Sequence, residues 1–307
     1  MTLYLARSRP RSAFKNLLGN ANHLIITALV GLDAVERGVV REVPEDLRAA
    51  WSPKDAISSA KRSRRLILDM ALIRAIDAVD VYLRDAVRKP AIVQSADFRR
   101  DLDSAGLSIF QKLQAVERNC ANLDNLPLAI IFLMVAWRNR SAHSESDRDA
   151  PQHHLGVLRS NAKELADRFR GLDADMLLGG YEAVRPTTFK EVASLINAAH
   201  HLVAELDSRL LASLDVERYL KDVVWASLGD SQKPKELIEK TRKRRAVSVW
   251  GRDPNDRGDA VLRLLNQQGF STIAAKEFAG AVVPAALITT LHEQTPKSIL
   301  NWAYVSD

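Results

Sequence analysis

The sequence predicts an all-α protein. Three observations carry that expectation. Apolar residues recur at helical spacing over most of the first 215 residues. Helix-start signals recur with them, notably Ser52-Pro53-Lys54-Asp55 and Thr188-Phe189-Lys190-Glu191. No apolar–polar alternation of any length appears before residue 215. A chain of 307 residues with 47% hydrophobic content can bury a sizeable core. The expected organisation is a helical bundle over residues 1–215 and a smaller, basic, mostly helical accessory domain over 216–307.

Taken in order, residues 12–38 form a first helix through Phe14, Leu17, Leu18, Leu24, Ala28 and Val35, with Gly38 as its stop. A long second helix starts at the 52–55 signal and runs to Lys89, before Pro90. Its core stripe is Leu68, Leu72, Ile76, Val79, Leu83 and Ala86, and the basic run 61–65 lies on its first half. A third helix covers 96–119, broken near Gly106. Pro127 opens the fourth, the most apolar stretch in the chain, LPLAIIFLMVAWRNRSAH over 126–143. Residues 141–151 read as an exposed loop. Helix five spans 152–170, and the Thr188 capping box opens another through Leu210. Beyond 215 the expectations are a helix over 215–228, a joint at Gly229-Asp230-Ser231, and a short strand at 247–250. Helices follow at 257–268, 271–279 and 284–293, with a last one opened by Pro296. The three short helices resemble a small helix-turn-helix-like module.

The net charge of +6 favours a polyanionic partner. The single cysteine, Cys120, excludes a disulfide framework and fits a reducing compartment. No uninterrupted apolar run reaches the roughly 18 residues of a membrane span, and no signal-peptide core is evident. The expectation is a cytoplasmic protein that does not enter a membrane. There is no Gly-rich phosphate loop, no Walker motif and no G-x-S-x-G. His153-His154 and His200-His201 are adjacent pairs whose rings diverge by about 100° on a helix, so neither is expected to hold a metal, and no cofactor is expected.

The candidate chemistry lies at the end of the apolar stretch, in Arg138, Asn139 and His143. The pattern Arg-Asn-x-x-x-His is expected by chance about 0.03 times in such a chain. It resembles the motif of the HEPN superfamily of helical, metal-independent ribonucleases, and the match covers this motif and a plausible bundle over residues 12–212. The resemblance implies an endoribonuclease with Arg138, Asn139 and His143 as its site. It further implies a homodimer in which two copies share one cleft, and a role as a toxin or an antiviral-defence effector. The residues support these roles independently. His143 can exchange a proton near neutral pH while the 2′-hydroxyl attacks the adjacent phosphate. Arg138 can hold the charge that builds on the phosphate oxygens. Asn139, four residues before His143, can orient the imidazole. Arg138 and His143 stand about 140° apart on an ideal helix, a strain that a second copy would relieve. Arg140 is an auxiliary phosphate contact or a solvated charge. The run Lys240, Arg242, Lys243, Arg244 and Arg245 is a solvated face or an RNA-binding patch, with Trp250 free to stack on a base. The competing reading is that the Arg and His residues only complement the helix dipole. In that case the chain is a non-catalytic helical module that binds nucleic acid or regulates. A regulatory protein partner is left open.

Overall fold

The computed structural model describes residues 2–40, 45, 55–142, 149–229, 234–274 and 279–304. Its class is all-α. Among the described residues there are fourteen helices and a single two-stranded ribbon. The chain forms two compact units that interleave in sequence. The first takes residues 1–12, 82–106 and 204–307; the second takes 13–81 and 107–203. The 215/216 boundary expected from the sequence falls inside the first unit, beside the Asp215 cap of a helix.

In the second unit, α1 (Arg9–Glu36) and α2 (Ala56–Ala86) supply the first two long helices, and each carries some residues in the first unit. Ser52 and Pro53 lie outside the described residues. Asp55 itself caps α2, its carboxylate accepting from the Ser58 N–H at 3.1 Å. All six residues of the α2 core stripe are buried. Arg64, in the basic run, is paired with Glu36 of α1 at 2.9 Å. α1 is the one described helix long and apolar enough to cross a membrane by length and composition. The criterion of an unbroken apolar run misses it because Gly19, Asn20, Asn22 and His23 interrupt it. Its Leu24 and Val30 are about two-thirds exposed.

The expected third helix is two helices, α3 (Ala96–Ser104) and α4 (Ile109–Asn119). Gly106 between them has φ +54°, which a side chain would strain. Ser108 then caps α4. α5 (Asn125–Ala142) is the apolar helix. Asp124 accepts the Leu126 N–H at 3.0 Å, so Pro127 sits within the first turn rather than opening it. Every residue from Leu126 to Trp137 is buried. A helix apolar all round must be covered all round, and α4 and α6 (Gln152–Ser160) pack against it. Helix five also divides, into α6 and α7 (Ala162–Arg168). Asn161 lies between them and bonds the Val157 carbonyl at 2.8 Å, offering the backbone a stop. α8 (Ala174–Glu182), capped by Asp173, was not anticipated. α9 (Phe189–Ala212) opens on the predicted capping box: Glu191 accepts from the Thr188 N–H at 2.7 Å, and Thr188 Oγ1 accepts from the Glu191 N–H at 3.3 Å.

In the first unit, α10 (Val216–Leu228), α11 (Lys235–Trp250), α12 (Pro254–Gln267), α13 (Ala285–Glu293) and α14 (Pro296–Ala303) surround a core of Val223, Ala246, Trp250, Val261, Leu265, Leu291 and Ile299. The strand expected at 247–250 is the last turn of α11. Four alternating residues are too few to end a helix built from Lys, Glu and Arg. The ribbon pairs β1 (Leu3–Leu5) with β2 (Ala281–Val283), antiparallel, Leu3 opposite Val283. Gly280 is required there, since a Cβ would lie 2.2 Å from the Leu5 carbonyl oxygen. The helix expected at 271–279 is not formed over 271–274, where Ser271 bridges to Tyr4; residues 275–278 lie outside the described residues.

Candidate functional site

The last described turn of α5 carries Arg138 and Asn139, both half-buried. Two side chains of the second unit hold that turn in place. Trp137, fully buried, donates its indole N–H to the Arg185 carbonyl at 3.2 Å. Arg185 in turn grips the Glu191 carboxylate with both terminal nitrogens. Burial alone would raise the Glu191 carboxyl, but Arg185 and the Thr188 donors outweigh it and hold it below the usual glutamate range. This clamp is what the Thr188 capping box contributes to the site.

Arg138 has a buried Nε with no hydrogen-bond partner among the described residues. A buried guanidinium nitrogen is ordinarily paired, so this cation is not consumed by its own fold at that atom. Arg140, two residues on, is different. It donates to Asp149 from Nε at 3.0 Å and from Nη2 at 2.6 Å, and to the Tyr181 carbonyl at 3.2 Å. Its guanidinium also lies 4.1 Å over the Tyr181 ring. Arg140, expected as an auxiliary phosphate contact or a solvated charge, here ties Asp149 to α8. Tyr181 completes that tie by accepting the Ala150 N–H at 3.0 Å. His143, the third motif residue, lies outside the described residues.

The basic run falls on α11, in the first unit. Lys240, Lys243, Arg244 and Arg245 are exposed. Arg242 instead turns inward, its guanidinium 3.9 Å over the Trp225 ring. Burial lowers its pKa, against a weaker upward pull from Glu239. Trp250 is fully buried and donates its indole N–H to the Leu291 carbonyl at 2.8 Å. The expectation that it stacks on a base is overturned, because its ring is the centre of this unit's core.

The sequence did not show where Arg245 leads. It lines a pocket of about 570 Å³ with Arg9, Arg252 and Arg263, and with Ser248 and Gln267. Arg245 donates to the Ser227 and Gly229 carbonyls, Arg252 to the Ser248 carbonyl and Arg263 to the Asp259 carbonyl. Arg9 donates to the Gln268 side chain. Among the described residues none of the four is in an ion pair with a carboxylate, so the pocket keeps its positive field. The signal was present only as arginines at four distant positions.

No family model, curated protein or solved structure matches this chain. The geometry and the residues themselves therefore carry the functional reading.

Proposed function

We propose that this chain is a metal-independent endoribonuclease of the HEPN kind, with Arg138, Asn139 and His143 as its site. The observation that carries the reading is the buried Nε of Arg138, unpartnered among the described residues, directly after a helical stretch buried from Leu126 to Trp137. Burial of α5 fixes the position of its last turn, and Trp137 with the Arg185–Glu191 clamp fixes it further. A cation pre-positioned in this way costs little reorganisation when a phosphorane-like transition state gathers charge. His143 takes the 2′-hydroxyl proton or returns one to the 5′-oxygen, and Asn139 orients its ring. The products are a 2′,3′-cyclic phosphate and a 5′-hydroxyl. A homodimer brings two motifs to one RNA strand, and a toxin or antiviral-defence effector is the role such an activity fits.

The test uses total RNA in EDTA with end-group analysis. Arg138→Ala should slow cleavage by about 10²–10³-fold. His143→Ala should slow it by about 10²–10⁴-fold. Both should melt like the parent. Undiminished cleavage in both variants ends the assignment.

A second reading, a binding module without cleavage, is favoured by the arginine-lined pocket of the first unit. On that reading RNA binds and weakens steeply with salt. An Arg245→Ala/Arg252→Ala variant then flattens the log–log salt slope by about two, roughly one for each phosphate no longer neutralised. Binding with no cyclic-phosphate ends would select this reading.

A further inference from the structure

We propose that Glu117, His153 and His154 form a binding site for one divalent transition-metal ion of the zinc class. Their ligand atoms lie within 4.8 Å of one another. Glu117 Oε1 is 3.2 Å from His153 Nε2 and 3.4 Å from His154 Nε2. Two ligands at zinc bond lengths of about 2.0–2.1 Å stand roughly 3.3 Å apart at a tetrahedral centre. Both of these edges already have that length. Closing the third requires a rotation of His153, whose side chain is mostly exposed and whose ring already lies 4.0 Å, centroid to centroid, from that of His154.

The second observation is His154 itself. It is 2% exposed, and among the described residues neither ring nitrogen has a hydrogen-bond partner. Its Nε2 reaches Glu117 at ion-pair distance but not in hydrogen-bond alignment. A neutral imidazole carries one donor and one acceptor, and burying both unpaired is costly. A cation shared with Glu117 and His153 would satisfy Nε2. The ring is also held in place: Phe132 of α5 stacks on it with centroids 4.2 Å apart, and Phe110 of α4 packs edge-on against Phe132 at 5.2 Å.

The adjacency that argued against a metal in the sequence is resolved by Glu117. It comes from the last turns of α4, while the histidines occupy the first turn of α6. A two-His-one-carboxylate set leaves a fourth position for water or a further ligand. Its role is structural. The ion would tie α4 to α6, and both of these helices pack against α5. The site does not rest on the nuclease reading.

The test uses the full, tag-free chain, stripped with chelator and dialysed. Titration with Zn²⁺ by calorimetry should show one equivalent, and Co²⁺ should give the visible absorption of a four-coordinate ion. Zn²⁺ should raise the melting temperature. Glu117→Gln and His153→Ala, both at accessible positions, should each weaken binding by tenfold or more. His201→Ala, in the other adjacent pair, should bind as the parent does. Absence of a stoichiometric site, or parental affinity in both Glu117→Gln and His153→Ala, overturns the proposal.

Discussion

Replacing Asp207 with alanine is expected to destabilise the first unit by about 2–6 kcal/mol. The carboxylate is fully buried and accepts from both the Ser8 N–H, at 3.1 Å, and the Ser8 hydroxyl. Tyr82 donates to it at 3.4 Å, and Arg11 lies 3.8 Å away. Ser8 is itself the cap of α1, its hydroxyl accepting the Arg11 N–H at 3.1 Å. Alanine leaves two Ser8 donors without an acceptor in a buried place, at about 1–3 kcal/mol each. At about 2–4 °C per kcal/mol for a unit of this size, the melting temperature should fall by about 4–24 °C. Asp207→Asn keeps the volume and one acceptor, and should cost half as much or less. The pH dependence gives a second check. Burial raises the Asp207 pKa above 3.8, more than the Ser8 donors and Arg11 lower it. A raised carboxyl binds its proton more tightly in the folded state. Its contribution to stability is therefore full below about 3.8 and declines as pH rises through the folded value. The gap between parent and Asp207→Asn should narrow over that rise. Circular-dichroism melts across pH 3–8 measure both effects. An Asp207→Ala variant melting within 2 °C of the parent would refute the reasoning.

Two other perturbations separate structural from functional roles. Trp250→Ala should cost about 3–5 kcal/mol in urea denaturation, and Trp250→Phe about 1–3, because the Leu291 carbonyl loses its donor; a melt unchanged in both would contradict the burial of this ring. Glu191 titrates in the opposite sense to Asp207. Its folded pKa is held below 4.5, so its stabilising contribution is present above about pH 4.5 and lost as pH falls through the folded value. Glu191→Gln should therefore be less stable than the parent at pH 6 and converge with it on acidification, and a gap independent of pH would remove the Arg185–Glu191 clamp from the account.

Much of the second unit was legible because its signals are local. The stripe from Leu68 to Ala86 and the Thr188–Glu191 box depend only on residues within one helix, and both appear in the structure as expected. The uniform apolarity of α5 announced a helix buried on every side. What escaped the sequence depends on partners far along the chain. Arg140 is occupied by Asp149 and Tyr181, and no pattern at 138–143 reveals that. Glu117 meets His153 across 36 residues. Trp250 follows a basic run, where a solvent-facing aromatic and a core aromatic look alike. The break at Asn161 turned on a side chain bonding its own helix, which periodicity does not weigh. Arg138 and Asn139 were legible as a motif, but the clamp around them was not.

The pairing of β1 with β2 has a consequence for how the chain is made. Leu5 must wait for Ala281, 276 residues later, before its strand has a neighbour. At a translation speed of about 5–20 residues per second, that delay is roughly 14–55 s. Throughout it, Leu3 and Leu5, fully buried in the finished molecule, emerge with their final partner unmade. The first unit is thus completed by a segment made long after β1, and a chain truncated before Ala281 would leave Leu3 and Leu5 without their partner strand.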